Sequence, residues 1–307
     1  MQSVLWGARR LREAGVPVPR REAEDLVAHV LSQPRHAWYL DPDAPLTADE
    51  AARMRSLVTR RADGDPLQYL LGTETFCGLE FDVTPDVLIP RPETEGVVEA
   101  ARRIVAERRP AGSSPAVVDV GTGSGCIALA LARAVPDATV YATDCSRAAL
   151  AVAARNAERL GVEDRVVFLA GDLLRPLQLA EAWVDLIVSN PPYVADDEWP
   201  QLQREVRREP SLALRGGADG LDLYRRLVVE AGWVLRAGGA MVLELGFGQE
   251  EAVGRLANAA GFDVERVDPD FQRIPRVMVL RAREVSRSID VDRFVMPGRE
   301  RDRLGCA

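Results

Sequence analysis

Lysine is absent from this 307-residue chain, whose 39 basic residues are all arginine. We read that absence as compositional bias and draw no function from it. Histidine is scarce, with only His29 and His36. Both lie in the N-terminal stretch, remote from the motifs described below, so chemistry that depends on an imidazole base loses its reagent. The four cysteines, Cys77, Cys126, Cys145 and Cys306, show no paired spacing. That argues against a disulfide framework and, with the histidines far away, against a metal site. No apolar run approaches bilayer length, and Met1–Arg10 lacks the basic-then-apolar pattern of a secretory signal, so a cytoplasmic protein without a membrane partner is expected. Positive charge is in deficit, with a net charge of -8. This disfavours a broad phosphate-binding surface and a stable nucleic-acid partner, though not a local basic patch.

What is present describes an ordinary globular chain. Hydrophobic residues make up 47% and charged residues 28%, enough to bury a sizeable core, and the length suits one large domain plus an accessory one. Ala23, Leu26, Val27, Val30 and Leu31 recur at helical spacing, and Thr47 with Glu50 forms a capping-box pattern before Met54, Leu57 and Val58. A small N-terminal helical bundle over residues 1–71 is therefore expected. From Gly72 to Leu88 short β-prone pieces around Phe76, Phe81 and Val83 predict a β-hairpin linker, placed at 72–90. Pro90 and Pro92 can start a helix but not sit inside one, which predicts a helix over 94–108.

Beyond residue 91 strands and helices alternate. Strands are expected at Ala116–Val120, Thr139–Thr143, Arg165–Leu169, Val184–Ser189 and Ala240–Leu245, with a helix at Arg147–Leu160 ended by Gly161. This alternation means a parallel sheet covered by helices on both faces. Asp263–Val267 and Arg276–Leu280 are separated by too few residues for a helical crossover and should pair antiparallel. The main domain is thus assigned to 91–282, and 283–307 reads as a charged, weakly periodic and disordered tail.

Val117–Val120 runs into Gly121-Thr122-Gly123-Ser124-Gly125, followed by a helical run from Cys126. Glycines let the backbone approach a ligand closely, and a following helix N-terminus favours a carboxylate. By itself the pattern is also compatible with a purely structural turn. Cys126 stands where a dinucleotide fingerprint places its third glycine, which disfavours that reading. Asp144 ends the next strand, where an acid can accept from both hydroxyls of a ribose. After the third strand Asp172 could accept from an adenine amino group while Leu173 covers the ring. Three acids, Asp119, Asp144 and Asp172, at the carboxyl ends of successive strands suit a nucleoside without phosphates.

Asn190-Pro191-Pro192-Tyr193 follows the apolar strand Val184–Ser189. The prolines remove two donors and stiffen the chain. The Asn190 side-chain oxygen and the Pro191 carbonyl could each accept one N–H of a planar NH2 group, aiming its lone pair at an electrophilic methyl. Positioning and preorganised electrostatics would then replace a strong base.

These residues resemble known enzymes. Asp119–Gly125 resembles motif I of class I methyltransferases, and Asn190–Tyr193 the motif of enzymes that methylate planar nitrogens. Pro66–Gly72, Phe76, Phe81 and Leu88–Glu95 resemble the hinge of the peptide-chain-release-factor glutamine methyltransferases, the HemK/PrmC family. Glu209-Pro210, Leu212–Leu214, Gly216-Gly217, Asp219–Leu221, Glu244–Gly246 and Gly248-Gln249 continue the match, which spans roughly Leu5 to Arg281.

The resemblance implies an α/β class I methyltransferase fold, Rossmann-like, with a seven-stranded sheet and an antiparallel last strand. It implies S-adenosyl-L-methionine as donor, S-adenosyl-L-homocysteine as product, and no metal. Asp119, Gly121, Thr122, Gly123, Ser124, Gly125, Asp144, Asp172, Leu173 and Asn190 would form the donor site, and Asn190, Pro191, Pro192 and Tyr193 the catalytic corner. Leu173 departs from members that carry an aromatic there. The implied reaction is N5-methylation of the glutamine in the Gly-Gly-Gln loop of class I release factors, by a monomer whose helical unit recognises the factor. The Arg91–Glu95 form of the hinge favours release factor over ribosomal protein. Adenine N6 or guanine N2 methylation of nucleic acid and a non-catalytic donor-binding scaffold are the alternatives.

Overall fold

The computed structural model describes residues 2–35, 45–108, 113–177 and 183–283. The expected disordered tail from 284 onward, with Cys306, and also His36 lie outside the described residues. Two compact units emerge, each assembled from separate stretches of chain: Met1–Thr73, Val83–Pro85 and Leu202–Arg208 form one, and Glu74–Asp82, Asp86–Gln201 and Glu209–Ala307 the other.

The first unit is helical: α1 (Gln2–Glu13), α2 (Pro19–Leu31), α3 (Ala48–Ala62) and the short α4 (Leu67–Leu71). Pro19 opens α2 at a position where its missing N–H costs nothing. Thr47 caps α3 in a full capping box, its hydroxyl accepting from Glu50 N while Glu50 accepts from Thr47 N. The apolar stripes meet in a core of Leu11, Leu26, Val27, Met54 and Val58, all buried. Each such side chain stabilises the bundle by about 1.5–3 kcal/mol.

A buried ion cluster closes this unit. Arg61 donates to both oxygens of Glu22, at 2.5 and 3.2 Å, and lies 2.6 Å from Glu205. Glu205 sits in Leu202–Arg208, far along the chain, and Arg204 and Arg208 of that segment donate to the backbone carbonyl of Asp63. These contacts explain why seven residues from the middle of the sequence cluster with the N-terminal helices.

The second unit is built on a seven-stranded sheet. Its elements are β1 (Thr73–Phe76) and β2 (Leu79–Asp82), which form a separate two-stranded sheet, then α5 (Glu95–Arg108), β3 (Ala116–Val120), α6 (Cys126–Ala134), β4 (Thr139–Asp144), α7 (Arg147–Leu160), β5 (Val166–Ala170), β6 (Val184–Ser189), α8 (Asp222–Val234), β7 (Leu235–Glu244), α9 (Glu250–Ala259), β8 (Phe262–Pro269) and β9 (Pro275–Ala282). The strand order is β5-β4-β3-β6-β7-β9-β8. The first five strands are parallel, and β9 pairs antiparallel with both β7 and β8.

The alternation of side chains across this sheet decides where the polar groups go. Val117, Leu186, Val188, Ala240, Val242 and Val277 pack on one face against α5, α6 and the hairpin. Val118, Val120, Ile187, Met241, Leu243 and Met278 pack on the other against α8 and α9. Continuing the period by one step puts Asp119, Asn190 and Glu244 on the α5 face.

Replacing Arg61 by Met leaves Glu22 and Glu205 without their buried partner. We expect a loss of about 3 kcal/mol in unfolding free energy, read by urea denaturation; an unchanged midpoint would show that the cluster contributes nothing to the helical unit.

Candidate active site

Parallel register aligns the carboxyl ends of the central strands. Val120 pairs with both Thr143 and Ser189, Asp144 with Ala170, and Ser189 with Leu243. The sheet therefore gathers Asp119, the Gly121–Gly125 turn, Asp144, Asp172, Leu173, Asn190 and Glu244 along one edge, although Thr94 and Glu244 stand 150 positions apart in the chain. In an open α/β sheet this edge is where ligands bind.

At the glycine turn, Gly121 and Gly123 have φ of +73° and +55°. A side chain placed on either would project into open space, so a ligand can reach the backbone there. Gly125 differs: a Cβ would press on Leu129 and Ala153 at 3.0 and 3.1 Å, and its role is to let the helix pack. Gly121 N and Thr122 N both donate to the Thr143 carbonyl, which ties the turn to the neighbouring strand.

Asp119 is completely buried beneath the turn. Its Oδ2 accepts from Thr122 Oγ1 at 2.6 Å and from Ala128 N at 3.1 Å, while Oδ1 has no partner. Burial pushes its carboxyl up to about 7. Asp119 thus shapes the turn from inside the protein. Asp144 lies at the rim, half-buried, accepting from Gly123 N at 2.9 Å and Ser146 N at 2.8 Å. Burial raises its carboxyl too, against the pull of these backbone donors. Each of its oxygens keeps acceptor capacity for a hydroxyl.

Gly171 N donates to the Asp144 carbonyl and brings the next loop alongside. Leu173 there has φ +50°, a left-handed conformation that costs a residue with a Cβ about 1–2 kcal/mol. The following amide, Leu174 N, donates to the buried Glu230 at 3.1 Å, which fixes the loop. Asp172 has one oxygen committed to Arg226 at 2.5 Å.

The Asn190 corner is organised by residues the sequence did not assign. Asn190 Nδ2 donates to Thr94 Oγ1 at 3.1 Å, and Thr94 Oγ1 donates to Glu244 Oε2 at 2.5 Å. Tyr193 Oη donates to Glu244 Oε1 at 3.3 Å, and Tyr224 Oη to the Glu244 carbonyl at 2.7 Å. Glu244 is 1% exposed and Thr94 2%. Burial pushes Glu244 up to about 7, and burial first, then the carboxylate beside it, raises Tyr193 well above its ordinary range. No described residue donates to the Asn190 side-chain oxygen or to the Pro191 carbonyl.

The surrounding loops are stitched by residues noted only for family resemblance. Gln249 accepts from Gly246 N at 3.1 Å and donates to the Tyr193 carbonyl at 3.0 Å. A Cβ on Gly220 would lie 2.3 Å from that same carbonyl, so only glycine lets the loops close. Glu209, nearly buried, accepts from Ile89 N at 3.0 Å and pairs with Arg91. The signal available in the sequence was a charge inside an apolar strand, as at Glu244, or an acid beside a proline, as at Glu209.

Comparison with known proteins places this geometry. The chain matches the family descriptions "PrmC N-terminal domain" over residues 2–72 and "Methyltransferase small domain" over residues 94–217. It is 48% identical over 258 residues to the release factor glutamine methyltransferase of Geobacter sulfurreducens, covering 84% of this chain and 87% of the relative. It is 47% identical over 284 residues to that of Moorella thermoacetica, covering 92% and 98%. Among solved structures, the hMettl16 catalytic domain in complex with MAT2A 3'UTR hairpin 1 superposes with TM-score 0.54 at 15% identity, covering 84% of this chain and 91% of that one. A methyltransferase from Pyrococcus furiosus superposes with TM-score 0.50 at 18% identity, covering 68% and 91%. These two likenesses concern the fold, that of the class I methyltransferases. By its sequence relatives, the chain belongs to the release factor glutamine methyltransferase family.

Proposed function

We propose that this protein methylates the side-chain amide nitrogen of the glutamine in the Gly-Gly-Gln loop of class I peptide chain release factors, using S-adenosyl-L-methionine. The observation that carries the reading is the Asn190 corner. Its amide is anchored through Nδ2, which leaves the side-chain oxygen and the Pro191 carbonyl as two acceptors for the two hydrogens of one trigonal NH2 group.

Donor-site geometry agrees with a nucleoside. The open faces of Gly121 and Gly123 admit a ligand to the backbone, and Asp144 stands at the rim for ribose hydroxyls. Asp172 and Leu173 would meet the adenine, and the Thr122 and Ser124 positions complete the turn. Asp119 would act by holding that turn in shape. When bound, the donor supplies a methyl carbon on a sulfonium, an electrophile whose bonding pair stays with sulfur as the new C–N bond forms. The methylated amide nitrogen would release one N–H proton to solvent, which balances the step.

An amide lone pair is delocalised into its carbonyl and is a weak nucleophile. Two fixed acceptors hold the NH2 plane so that the nitrogen faces the methyl carbon, and alignment of this kind is where much of the rate arises. Pro191 and Pro192 make the corner stiff, and Tyr193 is held by Glu244 and Gln249. The helical unit, approximated by residues 1–71, would recognise the release factor, with 72–90 as linker and 91–282 as the transferase domain. The enzyme would act as a monomer in the cytoplasm, where release factors work.

Asn190→Ala should lower turnover on a release factor by roughly 100- to 1,000-fold, measured with methyl-labelled donor at saturating concentration so that any weakening of donor binding does not enter. Undiminished turnover would remove Asn190 from the acceptor site. A release factor whose loop glutamine is changed to alanine should accept no label; continued labelling would place the methyl elsewhere. Asp144→Ala should weaken S-adenosyl-L-homocysteine binding by about 10- to 100-fold, the value of hydrogen bonds to a charged acceptor. Full affinity in that variant would take Asp144 out of the donor site.

A further inference from the structure

We propose that Glu244, acting through the Thr94 hydroxyl, sets which end of the Asn190 side-chain amide faces the acceptor, and so is a positioning residue for methyl transfer. The inference rests on the glutamine-methylation reading above and adds to it a direction for the hydrogen bonds behind the catalytic corner.

A threonine hydroxyl has one hydrogen to give. At 2.5 Å from Glu244 Oε2, and with both groups shut away from water, Thr94 gives it to the carboxylate. Its oxygen can then only accept, and the group within reach is Asn190 Nδ2 at 3.1 Å. The amide is thereby fixed with its nitrogen inward and its oxygen outward. Outward oxygen is the orientation that can accept from an incoming NH2.

The same chain of groups can run backwards. A proton on Glu244 Oε2 would be donated to Thr94, and the Thr94 hydrogen would then seek an acceptor on Asn190. The amide would turn, presenting its own NH2 to the NH2 of the substrate, donor against donor. An ionised Glu244 is therefore the productive state, and protonation reverses the corner without removing any residue.

Other groups around Glu244 fit this assignment. Tyr193 Oη reaches Oε1 at 3.3 Å and Tyr224 Oη the backbone carbonyl at 2.7 Å. Arg276 favours the charged form and Glu93 opposes it, but burial outweighs both. Its ionisation thus falls near neutrality, at about 7. Neither a glutamine amide nor a sulfonium titrates in that range, so a change in rate there reports the protein.

The test uses the full chain and a release factor, comparing wild type with Glu244→Gln, Thr94→Val and Thr94→Ser. Valine keeps the shape of threonine without its hydroxyl, and serine keeps the hydroxyl. We expect kcat to fall roughly 10- to 100-fold in Glu244→Gln and Thr94→Val, as for outer partners of other preorganised sites. KM for the release factor and calorimetric affinity for S-adenosyl-L-homocysteine should stay within about threefold of wild type, the margin expected when only transition-state alignment is lost. Thr94→Ser should recover most of the loss. Wild-type kcat should rise with pH through about 7, and this limb should vanish in Glu244→Gln. Asp119 is also pushed up to about 7, so the wild-type limb counts for Glu244 only where Glu244→Gln removes it; if that variant folds poorly, the serine–valine contrast at Thr94 still decides. A flat wild-type profile through neutrality, or Thr94→Val turning over like wild type, overturns the relay. A wild type that does not methylate release factor would instead overturn the parent reading.

Discussion

A carboxylate sealed from water has to be met by donors, and the fold around Glu244 is arranged to supply them. It ends β7, a strand whose preceding residues from Ala240 are apolar and buried. Leaving it unpaired there would cost several kcal/mol. Thr94 and Tyr193 answer its two oxygens, and they come from chain segments that share nothing else in sequence. Satisfying one buried group therefore brings the proline-rich turn before α5 and the Asn-Pro-Pro-Tyr corner to the end of the same strand. The site's geometry follows from that requirement.

The two halves of the site are stiffened by opposite means. At the glycine turn, left-handed backbone leaves an open face, and the turn is held from inside by Asp119 and from the neighbouring strand by Thr143 and Asp144. At the Asn190 corner, prolines remove backbone freedom, and the side chains carry the hydrogen bonds. Leu173 stands between these regimes: its strained backbone is tolerated because Glu230 captures the next amide and Arg226 holds Asp172. Such strain commonly collects at ligand sites.

Elements bounded by strong punctuation were legible in the sequence. The strands Ala116–Val120 and Val184–Ser189 and the helix Arg147–Leu160 occur with the expected ends, because glycine or Asn-Pro terminates each apolar run. The start of β7 was not legible. It begins at Leu235, with Arg236 and two glycines before the apolar run, and a register irregularity against β6 lets this polar stretch join the sheet. The candidate residues named from motif spacing lie along one edge of the sheet, but the network behind Asn190 could not be read from spacing. Thr94 and Glu244 meet only because the sheet aligns strand ends and the side-chain period puts Asn190 and Glu244 on one face. The Asp172–Arg226 pair was hidden for the same reason, since neither residue has a spacing that announces the other.

The membership of Leu202–Arg208 in the helical unit has a topological meaning. The chain passes between the two units after Thr73, Asp82, Pro85, Gln201 and Arg208, so no single cut of the backbone can release one from the other. Removal of the N-terminal helices as a block would leave Glu205, Arg204 and Arg208 behind without Arg61 and Asp63, their partners in the same unit.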